Sequence, residues 1–132
     1  MAAPKRINMK IVKVGILGLG TVGAGVYRLL KKNQKLIGQK SNIDIMIKKV
    51  ADKNSNVKKA LDVPDSVFTQ NPDEVISDPD IDIIAELIGG TTVSKELMLR
   101  AIRKKKHIVT ANKALFAEHG KEILNNLLCC FY

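Results

Sequence analysis

The strongest constraint on this chain is a set of glycines placed between two unlike hydrophobic patterns. Ile11-Val12-Lys13-Val14-Gly15-Ile16-Leu17 is a mostly apolar, β-branched run that stops at Gly18-Leu19-Gly20-Thr21-Val22-Gly23. Such a run reads as a parallel strand buried on both faces. Beyond Thr21 the period changes. Val22, Val26, Leu29 and Leu30 recur at helical spacing and Lys31-Lys32 follow, so a helix is expected from Thr21 to about Asn33. In a strand, G-x-G-x-x-G, helix arrangement the first glycine permits a tight turn, the second lets backbone approach a pyrophosphate, and the third lets helix and strand pack. Thr21 and Val22 would offer the first free N–H groups at the positive end of the helix dipole. All six residues of the turn (Gly18, Leu19, Gly20, Thr21, Val22 and Gly23) are therefore candidates for cofactor contact. The competing reading is a glycine turn with no ligand, although three glycines at these offsets each weaken ordinary packing.

The rest of the chain continues the alternation. Ile43 to Val50 is a second strand, reached through a polar stretch at Gly38 to Asn42. Asn54 to Phe68 shows no strong periodicity, and Asn71-Pro72-Asp73-Glu74-Val75-Ile76 reads as a short capped helix with proline in its first turn. Ile81 to Ile88 is a third strand ended by Gly89-Gly90. Val93 to Lys104 is a helix with Leu97, Ala101 and Ile102 inward. His107-Ile108-Val109-Thr110 is a last strand, and Asn112 caps a helix that starts near Lys113 and breaks near Gly120. Strands alternating with helices imply right-handed crossovers and an α/β, doubly wound, mostly parallel sheet of the Rossmann type. The expected layout is a mobile lead-in over residues 1–10, a dinucleotide-binding domain over 11–123 and an atypical tail over 124–132.

Three further strand ends add candidates. Asp52 and Lys53 follow the second strand, where a carboxylate suits the ribose 2′-hydroxyl of NAD and a cation the 2′-phosphate of NADP. A plain surface pair is an equal alternative for either residue alone, and the choice between NAD and NADP stays open. Gly89, Gly90 and Thr91 follow the central strand, where glycines leave room for ribose and nicotinamide. They also suit a simple turn into a helix capped by Thr91 or Thr92. Thr110-Ala111-Asn112-Lys113 closes the last strand with polar and charged groups, of which Asn112 and Lys113 are candidates for cofactor contact. A lysine there can bind a carboxylate or carbonyl, and it also reads as an ordinary first-turn residue. A cation at a helix N-terminus is slightly unfavourable, which argues for some other reason to place Lys113 there.

Composition removes other classes. With 132 residues and 45% hydrophobic content, the chain suits one core, and no apolar run nears the roughly 20 residues that span a bilayer. Neither a membrane partner nor a secretion signal is expected, and the chain reads as cytoplasmic. Cys129 and Cys130 are neighbours at the chain end and read as reduced thiols; with His107 and His119 they form no ligand spacing, so no metal site is expected. The net charge of +9 invites a nucleic-acid reading, but the lysines lie in short groups, mostly at expected element ends, and aromatic residues for base stacking are nearly absent.

Taken together, Gly18-Leu19-Gly20-Thr21-Val22-Gly23, Glu86-Leu87-Ile88-Gly89-Gly90 and Thr110-Ala111-Asn112-Lys113-Ala114-Leu115 resemble the cofactor domain of homoserine dehydrogenases over about Met9 to Ile123. The last two segments are the more specific. The resemblance implies NAD(P)-dependent interconversion of homoserine and aspartate semialdehyde in aspartate-family amino-acid biosynthesis. It implies that Thr21 and Val22 contact the pyrophosphate, that Lys53 stands near a 2′-phosphate, and that Lys113 is the catalytic residue reaching nicotinamide and substrate. The family's substrate and dimerisation domain does not follow the Lys113 helix here, so the chain is expected to bind cofactor without turning over. The tail from Leu124 to Tyr132 departs from the family pattern, and its Cys129, Cys130, Phe131 and Tyr132 are expected to be exposed unless a partner or a second copy covers them. Two other readings stay open: another semialdehyde or sugar dehydrogenase on the same fold, and a non-enzymatic dinucleotide- or RNA-binding module.

Overall fold

In the computed structural model, which describes residues 8–131, strands and helices alternate along the chain. They are β1 (Lys10–Leu17), α1 (Thr21–Ser41), β2 (Ile43–Ala51), α2 (Asn56–Ala60), β3 (Phe68–Thr69), α3 (Asp73–Ile76), β4 (Ile83–Glu86), α4 (Thr92–Arg103), β5 (His107–Thr110) and α5 (Lys113–Phe131). The sheet order is β3-β2-β1-β4-β5 with every pairing parallel, the doubly wound arrangement that the alternation predicts.

Burial explains the central strands. Val14, Ile16 and Leu17 of β1 and Ile84 and Ala85 of β4 are buried, as strands covered on both faces must be. One face packs Ile16 and Val50 with Tyr27 of α1, and the other packs Leu17 and Ile84 with Val75 and Ile76 of α3 and Leu97 and Ala101 of α4. The register sets Leu17 beside Ala51 and Glu86, and Glu86 beside Thr110. Four strands therefore end at one edge, and the segments that follow them share a crevice.

Several boundaries differ from expectation. Helix α1 runs past Asn33 to Ser41, ending at Asn42, which has left-handed φ of 57° and donates its N–H to the Gly38 carbonyl. Gly38 lies buried inside the helix, where a Cβ would stand 2.8 Å from Met9 Cε. Lys31-Lys32 consequently occupy the middle of α1 and not its last turn. The apolar stripe of α1 is narrower than its sequence suggests: Tyr27 is buried and Val26 and Leu30 pack on the core, while Val22 and Leu29 are exposed. The region Asn54 to Phe68 contains α2 and the start of β3. Helix α5 is not broken at Gly120 and continues to Phe131, because Ile123 and, less deeply, Leu127 and Cys130 pack on Met98 and Ile102 of α4. The segment expected as an atypical tail is thus helical as far as Phe131, with Cys129 exposed and Cys130 half-buried. The expected mobility of residues 1–7 and the exposure of the Phe131 and Tyr132 side chains lie outside the described residues. No helix among the described residues is long and apolar enough to cross a membrane.

Candidate functional site

The crevice begins at the glycine turn. Gly18 adopts φ of +93°, and a Cβ there would meet the Leu87 carbonyl oxygen and Ile88 Cα at 2.9 Å. A Cβ on Gly23 would stand 1.8 Å from the Gly18 oxygen, so α1 can start where it does only with glycine at this position. Gly20 is different. A Cβ there would meet nothing within 4 Å, which leaves bare backbone facing open space. Gly20 is also the N-cap of α1 without a side-chain cap, and the first turn carries no acidic residue. The N–H groups of that turn have no partner within the helix, and the dipole end is left for an anion from outside.

Asp52 fixes the turn from the side. The Leu19 N–H donates to Asp52 Oδ2 at 2.7 Å, the Asn54 N–H donates to Asp52 Oδ1 at 2.8 Å, and the Gly18 N–H donates to the Ala51 carbonyl at 2.8 Å. Lys53 is exposed, and its carbonyl accepts Gln70 Nε2 at 2.8 Å.

On the far side, Gly89 and Gly90 have φ of +83° and +72°, conformations that favour glycine, with open space where side chains would stand. Thr91 occupies the N-cap of α4, one of the two expected positions, but makes no side-chain cap bond. The buried Ser94 hydroxyl instead lies 3.0 Å from the Gly89 carbonyl and 3.1 Å from Glu86 Oε1. Asn112 Oδ1 accepts the Leu115 N–H at 3.1 Å and so caps α5 as expected, while its Nδ2 donates to the Gly90 carbonyl at 2.6 Å. Asn112 thereby joins the last strand end to the glycine pair.

These walls enclose a cavity of about 470 Å³ lined by Gly18, Gly20, Asp52, Lys53, Gly89, Gly90 and Thr91, with Gln70, Pro72 and Ile88 among the other residues. Leu19 is buried under the turn, Gly23 is packed, and Thr21, Val22 and Lys113 are exposed at helix starts outside the cavity lining. Lys113 forms no ion pair among the described residues. Two features escaped the sequence reading. Gln70 follows a two-residue strand that no periodicity announces, and Glu86, a carboxylate closing an apolar strand, was visible but carried no partner in sequence.

A bare backbone cradle, an uncapped helix start and a carboxylate and a lysine at the neighbouring strand end define a dinucleotide-binding α/β domain. Residues 18–127 match the family described as homoserine dehydrogenase, NAD binding domain, and the chain belongs to that family. It is 43% identical over 116 residues to a homoserine dehydrogenase of Bacillus subtilis, an alignment covering 88% of this chain and 27% of that protein. It is 47% identical over 114 residues to one of Methylobacillus glycogenes, covering 83% of this chain and 26% of that protein. The crystal structure of a homoserine dehydrogenase from Thiobacillus denitrificans superposes with a TM-score of 0.83 at 41% identity, over 92% of this chain and 28% of that one. The chain thus spans about a quarter of the length of these relatives.

Proposed function

We propose that this chain is the cofactor-holding part of a homoserine dehydrogenase, carrying NAD or NADP in the crevice between the glycine turn and the Gly89-Gly90 loop. The observation that carries this reading is the uncapped start of α1 beside Gly20, whose missing side chain leaves backbone N–H groups open to a pyrophosphate. Gly18 and Gly23 shape the cradle, Leu19 is its fixed point, and Thr21 and Val22 supply donors. Asp52 and Lys53 meet the adenosine ribose, with Lys53 free to pair with a 2′-phosphate. Gly89, Gly90, Thr91 and Asn112 border the nicotinamide end. Lys113, exposed at the start of α5, is the catalytic residue that reaches nicotinamide and substrate. The bound dinucleotide supplies the hydride acceptor or donor for interconverting homoserine and aspartate semialdehyde. The chain's own residues bind it, orient it and keep the crevice wall in place.

The domain spans residues 11–123 and the rest of α5 packed on α4, and the sites for homoserine and for dimerisation belong to the three quarters of each relative that this chain does not match. Cytoplasmic location, a small-molecule substrate and homo-oligomerisation of the complete enzyme complete the reading. Titration with NADH and NADPH, followed by nicotinamide fluorescence, tests it. Saturable binding supports the reading, and its absence from a folded chain overturns it. RNA binding that survives loss of the glycine cradle would point to a basic module instead.

A further inference from the structure

We propose that Glu86 is the positioning residue for the nicotinamide end of the crevice, acting through the Gly89-Gly90 loop and Asn112; this rests on the cofactor reading above. Glu86 closes β4 and is 1% exposed. A buried carboxylate is costly unless its lone pairs are filled. No salt bridge among the described residues involves Glu86. Its three donors are neutral and come from three separate segments. Oε1 accepts the Ile88 N–H at 3.0 Å and lies 3.1 Å from the Ser94 hydroxyl, while Oε2 accepts the Thr110 hydroxyl at 2.7 Å.

Each donor leads to the same place. Ile88 precedes the glycine pair, Ser94 also lies within reach of the Gly89 carbonyl, and Thr110 Oγ1 accepts the Asn112 N–H at 3.0 Å. Asn112 then closes the ring by donating to the Gly90 carbonyl at 2.6 Å. One carboxylate therefore ties the end of β4, the start of α4 and the start of α5 to a loop whose positive φ angles no side-chain packing enforces. A leucine at position 86 would satisfy the apolar surroundings of β4 but could hold none of the three segments. The glycine turn after β1 is fixed separately, by Asp52 and Ala51, so the pyrophosphate end does not depend on Glu86.

The test compares whole dinucleotides with fragments lacking nicotinamide. Wild type, Glu86→Gln, Glu86→Leu and Thr110→Val are each titrated with NADH and NADPH and with ADP-ribose and 2′-phospho-ADP-ribose. Glu86→Leu is expected to weaken the dinucleotides about tenfold or more while the fragments change less than about twofold. Glu86→Gln, which keeps an acceptor for Ile88, and Thr110→Val, which is nearly isosteric, are expected to show the same selective loss at smaller size. If Glu86→Leu does not fold, these two variants decide. Parallel loss of dinucleotides and fragments, or no loss of either, overturns the positioning role and leaves the cofactor reading standing. A folded wild type that binds neither class overturns both.

Discussion

The Leu19 N–H donates to Asp52 Oδ2 across 2.7 Å, so the residue following β2 holds the turn that follows β1. Leu19 is 2% exposed, so its N–H depends on that carboxylate for a partner. Removing the acceptor leaves a buried donor unsatisfied, a loss of about 1–3 kcal/mol. Asp52→Ala is therefore expected to lower stability by that amount in urea denaturation and to weaken NAD more than NADP, because the carboxylate also accepts from the ribose 2′-hydroxyl that only NAD retains. Lys53→Ala is expected to leave stability nearly unchanged and to weaken NADP more than NAD. Competition titrations with the two cofactors check both outcomes.

The last glycine of the turn is a packing position. Gly23→Ala places a Cβ 1.8 Å from the Gly18 oxygen and must displace backbone, at about 1–3 kcal/mol or more. Its urea midpoint is expected to fall, with cofactor binding reduced as a consequence.

Lys113 begins α5, is exposed and has no ion-pair partner among the described residues. Lys113→Ala is expected to change stability by less than about 0.5 kcal/mol. In a complete enzyme carrying this domain, the same substitution is expected to cut turnover by about a hundredfold or more. Steady-state rates beside a thermal melt separate the two, and wild-type turnover would remove Lys113 from catalysis.

At the register shift in the second half of β2, Lys48 pairs with Asp78 and Asp80 at 2.8 and 2.9 Å. The Lys48 hydrogen bond holds the Asp78 carboxyl below its ordinary value near 3.8, and the Asp78 bond likewise raises Lys48 above its ordinary 10.5. A lowered carboxylate pKa means that the stabilisation is present above the unfolded value and is lost as pH falls through the folded one. A raised lysine pKa means loss as pH rises through the folded value, at the alkaline end. The contribution is therefore full between about pH 4 and pH 10. Urea midpoints of Lys48→Met are expected to fall below wild type across that window and to converge with it toward pH 2. The gap is expected to be modest, because solvent screens these groups.

The parallel sheet and the crevice edge were legible because strand and helix periods alternate cleanly around glycine stops. The apolar run before Gly18 and the Ile83-Ile84 run before Gly89 place two strand ends without any tertiary information. What could not be read depended on contacts distant in sequence. Gly38 looks like a helix stop, yet α1 ends four residues later at the left-handed Asn42, and Gly120 looks like a break until Ile123 is seen packing on α4. Asp52 looks like a group aimed at a ribose. Its bonds to Leu19 and Asn54 show that it also braces the turn, a role that spacing alone cannot reveal.

Calorimetric titration of wild type beside Gly20→Asp decides whether backbone at Gly20 receives a dinucleotide pyrophosphate. Gly20 has open space in place of a Cβ, so the substitution should leave the melting temperature close to wild type while putting a carboxylate where the phosphates would lie. One NAD(H) or NADP(H) is expected per wild-type chain, with an affinity at least about a hundredfold weaker in the variant. A folded wild-type chain that takes up neither cofactor at millimolar concentration, or a Gly20→Asp variant that binds as tightly as wild type, would contradict this.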